Sequence, residues 1–449
     1  MSTIEKHDMT QGKILLPLVS FTIPLVLGNL FQLTYNAADS VIVGKYVGEQ
    51  ALAAVGTSTP IMNIAILLIS GMCMGASVLM SSQYGAKDYD TLSRQISTTM
   101  LAGCGFSVAF SLLMLLLANP VLRLIRVPET AIPEAAAYLR IIFMGLIFTF
   151  MYNFLANTMR ALGDSKTPLY FLVTSAFLNI FGDLFFVVVL RWGVAGSAIA
   201  TVFSEGLCCL LCGIYIKKKI PLLCLGKKWW VFDKSLLGKT VSYGSTSAMQ
   251  QVCLQLGKLI IQSVVNTQGV AVMAAFTAVN RVDDFAYTPQ QNIGHAMTTF
   301  LAQNKGAGHK ERMKKGFQTG LLIELVYSIG LFCVIWGLAP QIMTLFAEDG
   351  DAQVVSLGIS YLHLISWMYI LPGLTNGVQG FFRGIGDLKV TLYSTFMNMF
   401  GRVVAVFVMI RLLQMEFASL AWANMVGWIV MLLFEVPLLV KSMRNGECG

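Results

Sequence analysis

Long apolar stretches recur along the whole chain and constrain its fold more than any other feature. Twelve of them reach about 20 residues, the length that an α-helix needs to cross the hydrocarbon layer of a bilayer. Charged residues make up only 12% of the 449 residues, whereas ordinary soluble domains carry roughly 25%. Because so few charges cannot cover a soluble surface, the sequence predicts an all-α integral membrane protein.

The predicted spans fall into two sets of six. They begin near Ile14, Leu52, Ile96, Ala135, Pro168 and Ala195 in the first set, and near Lys239, Val270, Phe317, Leu357, Lys389 and Phe417 in the second. A lysine-rich interruption separates the two sets. We therefore expect an N-terminal six-helix lobe over 1–216, a cytoplasmic linker over 217–238 and a C-terminal six-helix lobe over 239–449.

The distribution of Lys and Arg predicts the orientation. If the amino terminus is cytoplasmic, 22 of these residues lie in segments on the cytoplasmic side and 6 on the opposite side. This bias predicts a multi-pass protein of the plasma (inner) membrane with both termini in the cytoplasm. Since topology accounts for the net charge of +8, we expect the lipid bilayer and no nucleic acid as a partner.

Four short motifs recur in the same order in both halves and indicate a duplication. The RALGDSK motif at Arg160–Lys166 recurs as RGIGDLK at Arg383–Lys389, and LNIFGD at 178–183 recurs as MNMFGR at 397–402. QYGAK at 83–87 has a counterpart in QNKGAG at 303–308, and AGSAIAT at 195–201 in ASLAWAN at 418–424. Because each half has an even number of spans, the copies have parallel topology, an arrangement that transporters use to build a cavity between two halves.

Acidic residues inside the predicted spans are candidate functional positions, because a carboxylate at mid-membrane costs about 2.5–3.5 kcal/mol. Asp39 and Asp183 lie in the first and fifth spans. Asn179 precedes Asp183 by one helical turn, and Thr201 precedes Glu205 by one turn in the sixth span. The residues that share the helical face of Asp39 are Gln32, Tyr35 and Asn36. Such oxygen-rich faces could hold a proton relay or a Na⁺ ion.

The QYGAKD and QNKGAG loops, the two R-x-x-G-D-x-K loops and the L-N-I-x-x-D motif resemble, in their order, those of the multidrug and toxic compound extrusion (MATE) transporters. The resemblance extends over almost the whole chain. It implies twelve transmembrane helices in two pseudo-symmetric six-helix bundles, and secondary antiport of amphipathic, often cationic, organic compounds against H⁺ or Na⁺. It implies no enzymatic activity and no cofactor besides the coupling ion, and we expect a monomer.

The resemblance also implies where the ion is coupled. In one branch of the family the coupling residues lie in the N-terminal lobe, and the matching positions here are Asp39, Tyr138, Asn179, Asp183 and Thr201. All of these except Tyr138 are also possible Na⁺ ligands. The other branch uses a helix-seven glutamate, near which this chain has Gln250 and Gln251. The residues expected to line the substrate cavity are Gln32, Tyr35, Asn36, Asn153, Asn157, Glu205, Gln250, Gln255, Arg281 and Asp283.

A polar cluster in the second half allows two interpretations. Arg281 and Asp284 have the spacing of an intrahelical ion pair, Asp283 points elsewhere, and Lys258 could help to balance both acids. The cluster is either a self-compensating structural pair or a substrate contact. For Glu324 and Glu435 in the later spans, snorkelling or packing is the expected role, with contact to the ion path as the alternative.

Our hypothesis for the mechanism is that Asp39 and Asp183 share the coupling role. Burial and mutual repulsion favour protonation of one of them, and protonation from outside would weaken the hold on a cationic drug. Two other functions stay open: a lipid-linked oligosaccharide flippase, which needs a strongly cationic lateral groove, and an integral-membrane transferase. The transferase would need a His/Asp or metal-ligand cluster at one membrane face, which 4 scattered His do not supply.

Overall fold

The computed structural model describes residues 8–125, 127–129, 131–220, 231–346, 352–413, 417 and 419–445. Over these ranges the chain is helical and contains no strand. In the first half the helices are α1 (Leu15–Tyr46), α2 (Glu49–Gly85), α3 (Tyr89–Leu124), α4 (Ile132–Met144), α5 (Leu146–Ala161), α6 (Lys166–Asp183) and α7 (Gly193–Lys219). A π-helical segment, Leu184–Val189, continues α6.

The second half repeats this pattern. Its helices are α8 (Lys234–Val265), α9 (Val270–Gly306), α10 (Lys310–Phe346), α11 (Ala352–Ser366), α12 (Ile370–Ile385), α13 (Leu388–Val406) and α14 (Ser419–Arg444). One turn of 3₁₀-helix, Trp367–Tyr369, joins α11 to α12, and a π-helical segment, Phe407–Leu412, continues α13.

Each of the twelve predicted spans coincides with one helical stretch. Within the described residues, 9 stretches are long and apolar enough to cross a membrane, and α4 with α5, which meet at 46°, form a tenth as a broken span. The other two stretches, α8 with 32 residues and α9 with 37, have the length of a span but a more polar composition. Polar residues in α8 and α9 are tolerated only where the side chains face protein or water.

Contacts divide the chain into two compact units. The first unit contains Ile23–Ala248, and the second contains Met9–Thr22 together with Met249–Gly449. The division therefore falls inside α1 and inside α8, so that the start of each helix belongs to the other unit. The lobe limits expected from the sequence, 1–216 and 239–449, stay a prediction, and residues 221–230 of the expected linker lie outside the described residues.

A guanidinium explains why the segment Met9–Thr22 belongs to the second unit. Arg312, near the beginning of α10, donates hydrogen bonds to the carbonyls of Met9, Gln11 and Gly12 at 2.7 to 3.2 Å. The N–H of Met9 in turn donates to Oε1 of Gln303 at 3.2 Å. A single Arg can satisfy several carbonyls because its planar fork carries five N–H donors.

The two R-x-x-G-D-x-K motifs are tight turns, as expected from their glycines. Gly163 and Gly386 adopt φ values of 91° and 85°, which residues other than glycine rarely adopt. After the first turn, Oδ1 of Asp164 accepts hydrogen bonds from the N–H groups of Lys166 and Thr167 at 3.1 and 3.0 Å. The corresponding Asp387 is the N-cap residue of α13 and makes no side-chain capping bond.

This difference allows a matched test of the cap. Replacing Asp164 with Ala removes two hydrogen bonds from the start of α6, which should lower stability by about 1 kcal/mol. Replacing Asp387 with Ala removes no capping bond, so its effect should be clearly smaller. The thermal unfolding midpoints of both variants in the same detergent measure the difference, and equal midpoints would contradict the capping role of Asp164.

The structure also corrects the alignment of the two halves. The π-helical segments begin at Leu184 and Phe407, and these two residues hold equivalent positions relative to the two R-x-x-G-D-x-K motifs. In this register Asp183 corresponds to Val406. The motif match between LNIFGD and MNMFGR instead pairs Asp183 with Arg402, one helical turn earlier. That match therefore preserves the helix face but not the depth in the membrane.

Candidate cation and substrate site

The first unit brings two carboxyl groups together from different helices. Asp39 on α1 accepts a hydrogen bond at 2.7 Å from Oγ of Ser197 on α7. Asp183, the last residue of α6, is 0% exposed, and its carboxyl group lies within hydrogen-bonding reach of that of Asp39. The two carboxyl groups are close enough to interact electrostatically. The pair predicted from the sequence is therefore assembled in one place.

Hydroxyl and amide groups extend the cluster along α6 and α7. Nδ2 of Asn179 donates to Oγ1 of Thr201 at 3.2 Å, and Thr201 donates to the carbonyl of Ser197 at 3.1 Å. Oδ1 of Asn179 is buried and has no partner among the described residues. Since most buried polar atoms in proteins are hydrogen-bonded, the unsatisfied oxygen of Asn179 near the Asp39–Asp183 pair marks a place suited to a cation, a proton or water.

Small residues let α7 approach its neighbours closely at this level. A Cβ on Gly182 would lie 3.0 Å from Cβ of Ala200, and a Cβ on Gly145 would lie 2.3 Å from Cγ2 of Val202. Gly145 is also the residue at which α4 ends and α5 begins. The π-helical segment begins directly after Asp183, and such segments are frequent at functional sites. These close approaches position Thr201 next to Asn179.

Tyr138 on α4 completes the group of five predicted coupling residues. Its side chain is 3% exposed, and its hydroxyl lies 3.8 Å from Sδ of Met62. Asp39, Asp183 and Glu205 all lie near enough to act on the tyrosine electrostatically. Tyr138 therefore belongs to the same site, although no hydrogen bond joins it to either aspartate in the described residues.

The residues expected to line the cavity in the first unit form a second polar group. Oε2 of Glu205 accepts a hydrogen bond at 2.5 Å from Oγ1 of Thr149 on α5. The amides of Asn153 and Asn157 donate to carbonyls one turn earlier in their own helix, both at 2.9 Å. Gln32 and Tyr35 interact with each other through their side chains on α1. The side chain of Asn36 lies outside the described residues.

Two site residues were not predicted from the sequence. Ser197 bonds Asp39, and Thr149 bonds Glu205. Ser197 lies one turn before Thr201 on the same face of α7, a spacing that could have indicated it. No comparable signal marks Thr149, because a threonine within an apolar helix often bonds only its own backbone.

In the polar cluster of the second unit, a lysine of α8 balances one of the two acids. Asp284 forms an ion pair with Lys258 on α8 at 3.1 Å, and both side chains are more than half exposed. Lys258 thus balances Asp284, one of the two acids for which this was expected, and the ion pairs of the described residues include none between Arg281 and Asp284. Arg281 itself is exposed.

Asp283 is buried and bound to tyrosines. Its Oδ1 accepts from the hydroxyl of Tyr369 at 2.5 Å and its Oδ2 accepts from Tyr361 at 2.9 Å. Gln250, which like Asp283 is expected to line the cavity, donates to Gln379 at 3.2 Å and to Thr395 at 2.9 Å. Gln255 is half-buried on α8. Asp283 and Gln250 thus belong to separate polar networks of the second unit.

The donor set of the first-unit site is made of oxygen. It offers carboxylate, amide and hydroxyl oxygens from Asp39, Asp183, Asn179 and Thr201, the ligand types that suit hard cations such as Na⁺. Among the described residues no group of three or more His, Cys, Asp or Glu side chains could hold a metal ion.

Sequence comparisons place the two halves in one family pattern. A sequence model of the MatE family matches residues 24–185 and, a second time, residues 247–409. A probable multidrug resistance protein of Bacillus subtilis, YpnP, is 32% identical over 392 residues, which cover 87% of this chain and 86% of that protein. A second protein from the same organism, the probable multidrug resistance protein YoeA, is 28% identical over 389 residues, with coverage of 85% and 82%.

Solved structures support the architecture. An outward-facing multidrug resistance transporter of the MATE family superimposes with a TM-score of 0.91 and 21% sequence identity, covering 99% of both chains. At this identity the likeness carries the fold alone. It confirms the predicted fold class, twelve transmembrane helices in two six-helix bundles.

Proposed function

The chain belongs to the MatE family, and from this premise we propose that it exports amphipathic organic compounds, cationic ones in particular, in exchange for H⁺ or Na⁺. As a multidrug efflux transporter it is a membrane carrier of small organic compounds and not an enzyme. We further propose that it acts as a monomer in the plasma (inner) membrane with both termini in the cytoplasm, as the bias in Lys and Arg predicts.

We propose that the ion is coupled in the first unit, at Asp39, Asp183, Asn179 and Thr201, with Tyr138 beside them. The observation that carries this proposal is the buried carboxyl group of Asp183, which lies within hydrogen-bonding reach of the carboxyl group of Asp39. Ionising both of two neighbouring carboxyl groups costs free energy because their charges repel, unless a cation binds beside them or one of them keeps its proton.

The transport cycle follows from this charge balance. When both carboxyl groups are ionised, the site attracts an organic cation from the cytoplasmic side. A proton or Na⁺ that enters from outside neutralises part of that charge, weakens the hold on the drug and favours its release. Each charge that crosses the full membrane potential contributes about 2.3 kcal/mol per 100 mV. The ion is then released inside, which restores the acidic site.

We propose that the following polar groups line the substrate cavity. In the first unit these are Gln32, Tyr35, Asn36, Asn153, Asn157 and Glu205, and in the second unit Gln250, Gln255, Arg281 and Asp283. The hydrogen bond between Glu205 and Thr149 supports a fixed carboxylate on α7, and a fixed negative group suits cationic substrates. Asp283 is buried and already accepts hydrogen bonds from two tyrosines. It is therefore the least available of these residues for contact with a substrate.

Proteoliposomes test the function directly. Purified protein is reconstituted with a fluorescent organic cation, and pH and Na⁺ gradients are imposed separately at constant ionic strength. We expect at least one gradient to drive substrate movement several-fold above the rate in protein-free liposomes. Movement that ignores both gradients would contradict ion-coupled antiport, and turnover of the compound into a new chemical species would instead support the transferase alternative.

A further inference from the structure

We propose that the second unit contains a Na⁺ site of its own, formed by Glu324 and Ser328 on α10, Gln290 on α9 and the carbonyl of Tyr369 before α12. None of these residues belongs to the coupling site proposed for the first unit. The proposal concerns cation binding and does not depend on which ion drives export.

Glu324 is a carboxylate deep in the membrane. It lies about four helical turns after Lys310, the first residue of α10, so it is about 21 Å along the helix axis. Its side chain is 1% exposed, and both carboxylate oxygens lack a hydrogen-bond partner among the described residues. The ion pairs found in the described part of the chain do not include it. An ionised carboxylate at this depth requires a compensating charge.

Polar atoms from three helices converge beside this carboxylate. A Cβ placed on Gly373 of α12 would lie 2.9 Å from Oγ of Ser328, 3.3 Å from Nε2 of Gln290 and 3.4 Å from Oε2 of Glu324. Glycine at this position therefore leaves room that any side chain would fill. Gln290 is 0% exposed and Ser328 is 3% exposed, so the polar atoms are held inside the protein.

A break in the helical span adds a backbone oxygen. The 3₁₀ turn Trp367–Tyr369 separates α11 from α12, and Pro372 has no N–H to continue the helical ladder. The carbonyl of Tyr369 accepts hydrogen bonds from Nε2 of Gln290 at 2.8 Å and from Oγ of Ser328 at 3.3 Å. Broken helices in transporters use such carbonyls to coordinate Na⁺.

The position that corresponds to Glu324 in the first unit holds no carboxylate. When the first residues of α3 and α10 are aligned, Gly103 corresponds to Glu324. When the two R-x-x-G-D-x-K motifs are aligned, Phe150 corresponds to Gly373. A Cβ on Gly103 would lie 1.9 Å from Cζ of Phe150. In the first unit the ring of Phe150 thus fills this place, beside Gly103. In the second unit the corresponding place holds the carboxylate of Glu324, beside Gly373.

The ligand set is of the type that suits Na⁺. The two carboxylate oxygens of Glu324, Oγ of Ser328 and the Tyr369 carbonyl are all hard oxygen ligands. Nε2 of Gln290 donates to Oγ of Ser328 at 3.0 Å and to the Tyr369 carbonyl at 2.8 Å, and so holds these two oxygens in place. One negative charge with neutral oxygens around it matches a monovalent cation.

Thermal unfolding of the purified protein with NaCl as the probe tests the site. We would use the Asp39→Asn/Asp183→Asn double variant, so that Na⁺ binding in the first unit cannot contribute. Replacing choline chloride with NaCl at constant ionic strength and pH should raise the unfolding midpoint in a saturable way, as ligand binding to the folded state requires. Glu324→Gln in the same background should weaken the apparent Na⁺ affinity at least about tenfold, or about 1.4 kcal/mol.

The matched control is Glu435→Gln. Glu435 is also a buried glutamate of the second unit, but Ser394 and Gln379 lie within hydrogen-bonding reach of its carboxylate and Arg383 acts on it electrostatically. Its charge is therefore balanced within the protein, and its replacement should leave the Na⁺ response unchanged. If Glu324→Gln does not fold, Ser328→Ala should reduce the affinity several-fold instead. No Na⁺ response in the double variant, or the same response after loss of Glu324 or Ser328, would overturn the proposal. A failure of gradient-driven export would not change any of these results.

Discussion

Asp183→Asn should reduce gradient-driven efflux of an organic cation to the rate of protein-free liposomes. Asparagine has nearly the same shape, so it keeps the packing of a side chain that is 0% exposed, but it cannot release a proton or balance a cation. The antiport cycle then lacks the charge change that exchanges drug for ion. The measurement is efflux from proteoliposomes under an imposed pH or Na⁺ gradient, with protein amounts matched.

A surface variant controls for differences in purification and reconstitution. Asp90→Asn changes an acid whose side chain is 82% exposed and which pairs with Arg94 at the start of α3, and its efflux should match that of the unmodified protein. Asp39→Asn should lower efflux as strongly as Asp183→Asn, and the double variant should be no worse, because residues that act as a unit are not additive. Undiminished efflux in Asp183→Asn would refute the coupling role.

Gly145→Val and Gly182→Val should each cause a large loss of folded, active transporter. The added Cβ would lie 2.3 Å from Val202 at the first position and 3.0 Å from Ala200 at the second, so α7 must move away from α4–α5 or from α6. Overpacking of this kind costs about 1–3 kcal/mol or more. Displacement of α7 also separates Thr201 from Asn179, whose hydrogen bond is already 3.2 Å long.

The yield of monodisperse protein, its unfolding midpoint and its efflux rate report on this effect together. The control is Gly213→Val, because a Cβ on Gly213 of the same helix α7 would meet nothing within 4 Å. We expect Gly213→Val to keep both stability and transport. If Gly145→Val and Gly182→Val behave like this control, the close approach of α7 does not support the site.

The acids of the first unit could be predicted from the sequence because an ionisable residue in an apolar span stands out by itself. Asp39 and Asp183 are conspicuous in this way, and helical spacing adds Asn179 to the second. Ser197 and Thr149 are not conspicuous, since a hydroxyl in a membrane helix can bond its own backbone. Their roles depend on which helix packs against which, and that information is not local.

The second unit shows the same limit more sharply. The spacing of Arg281 and Asp284 correctly indicates that they could meet, but Lys258 from another helix forms the ion pair. For Glu324 the sequence favours a packing role, because Ser328, one helical turn later, can bond its own backbone and does not by itself indicate a site. Only the tertiary contacts bring Ser328, Gln290 and the Tyr369 carbonyl together around Gly373.

Hydropathy and helical period act over neighbouring residues, so the amino-acid order alone establishes the number of spans, the duplication and the helices that carry buried acids. The register of the repeat, visible in the π-helical segments after Asp183 and Val406, and the partner of each buried polar group follow only from packing. These features depend on contacts between helices that are distant in sequence and that approach closely only at particular glycines. The energy of such contacts depends on distances that no local sequence pattern records.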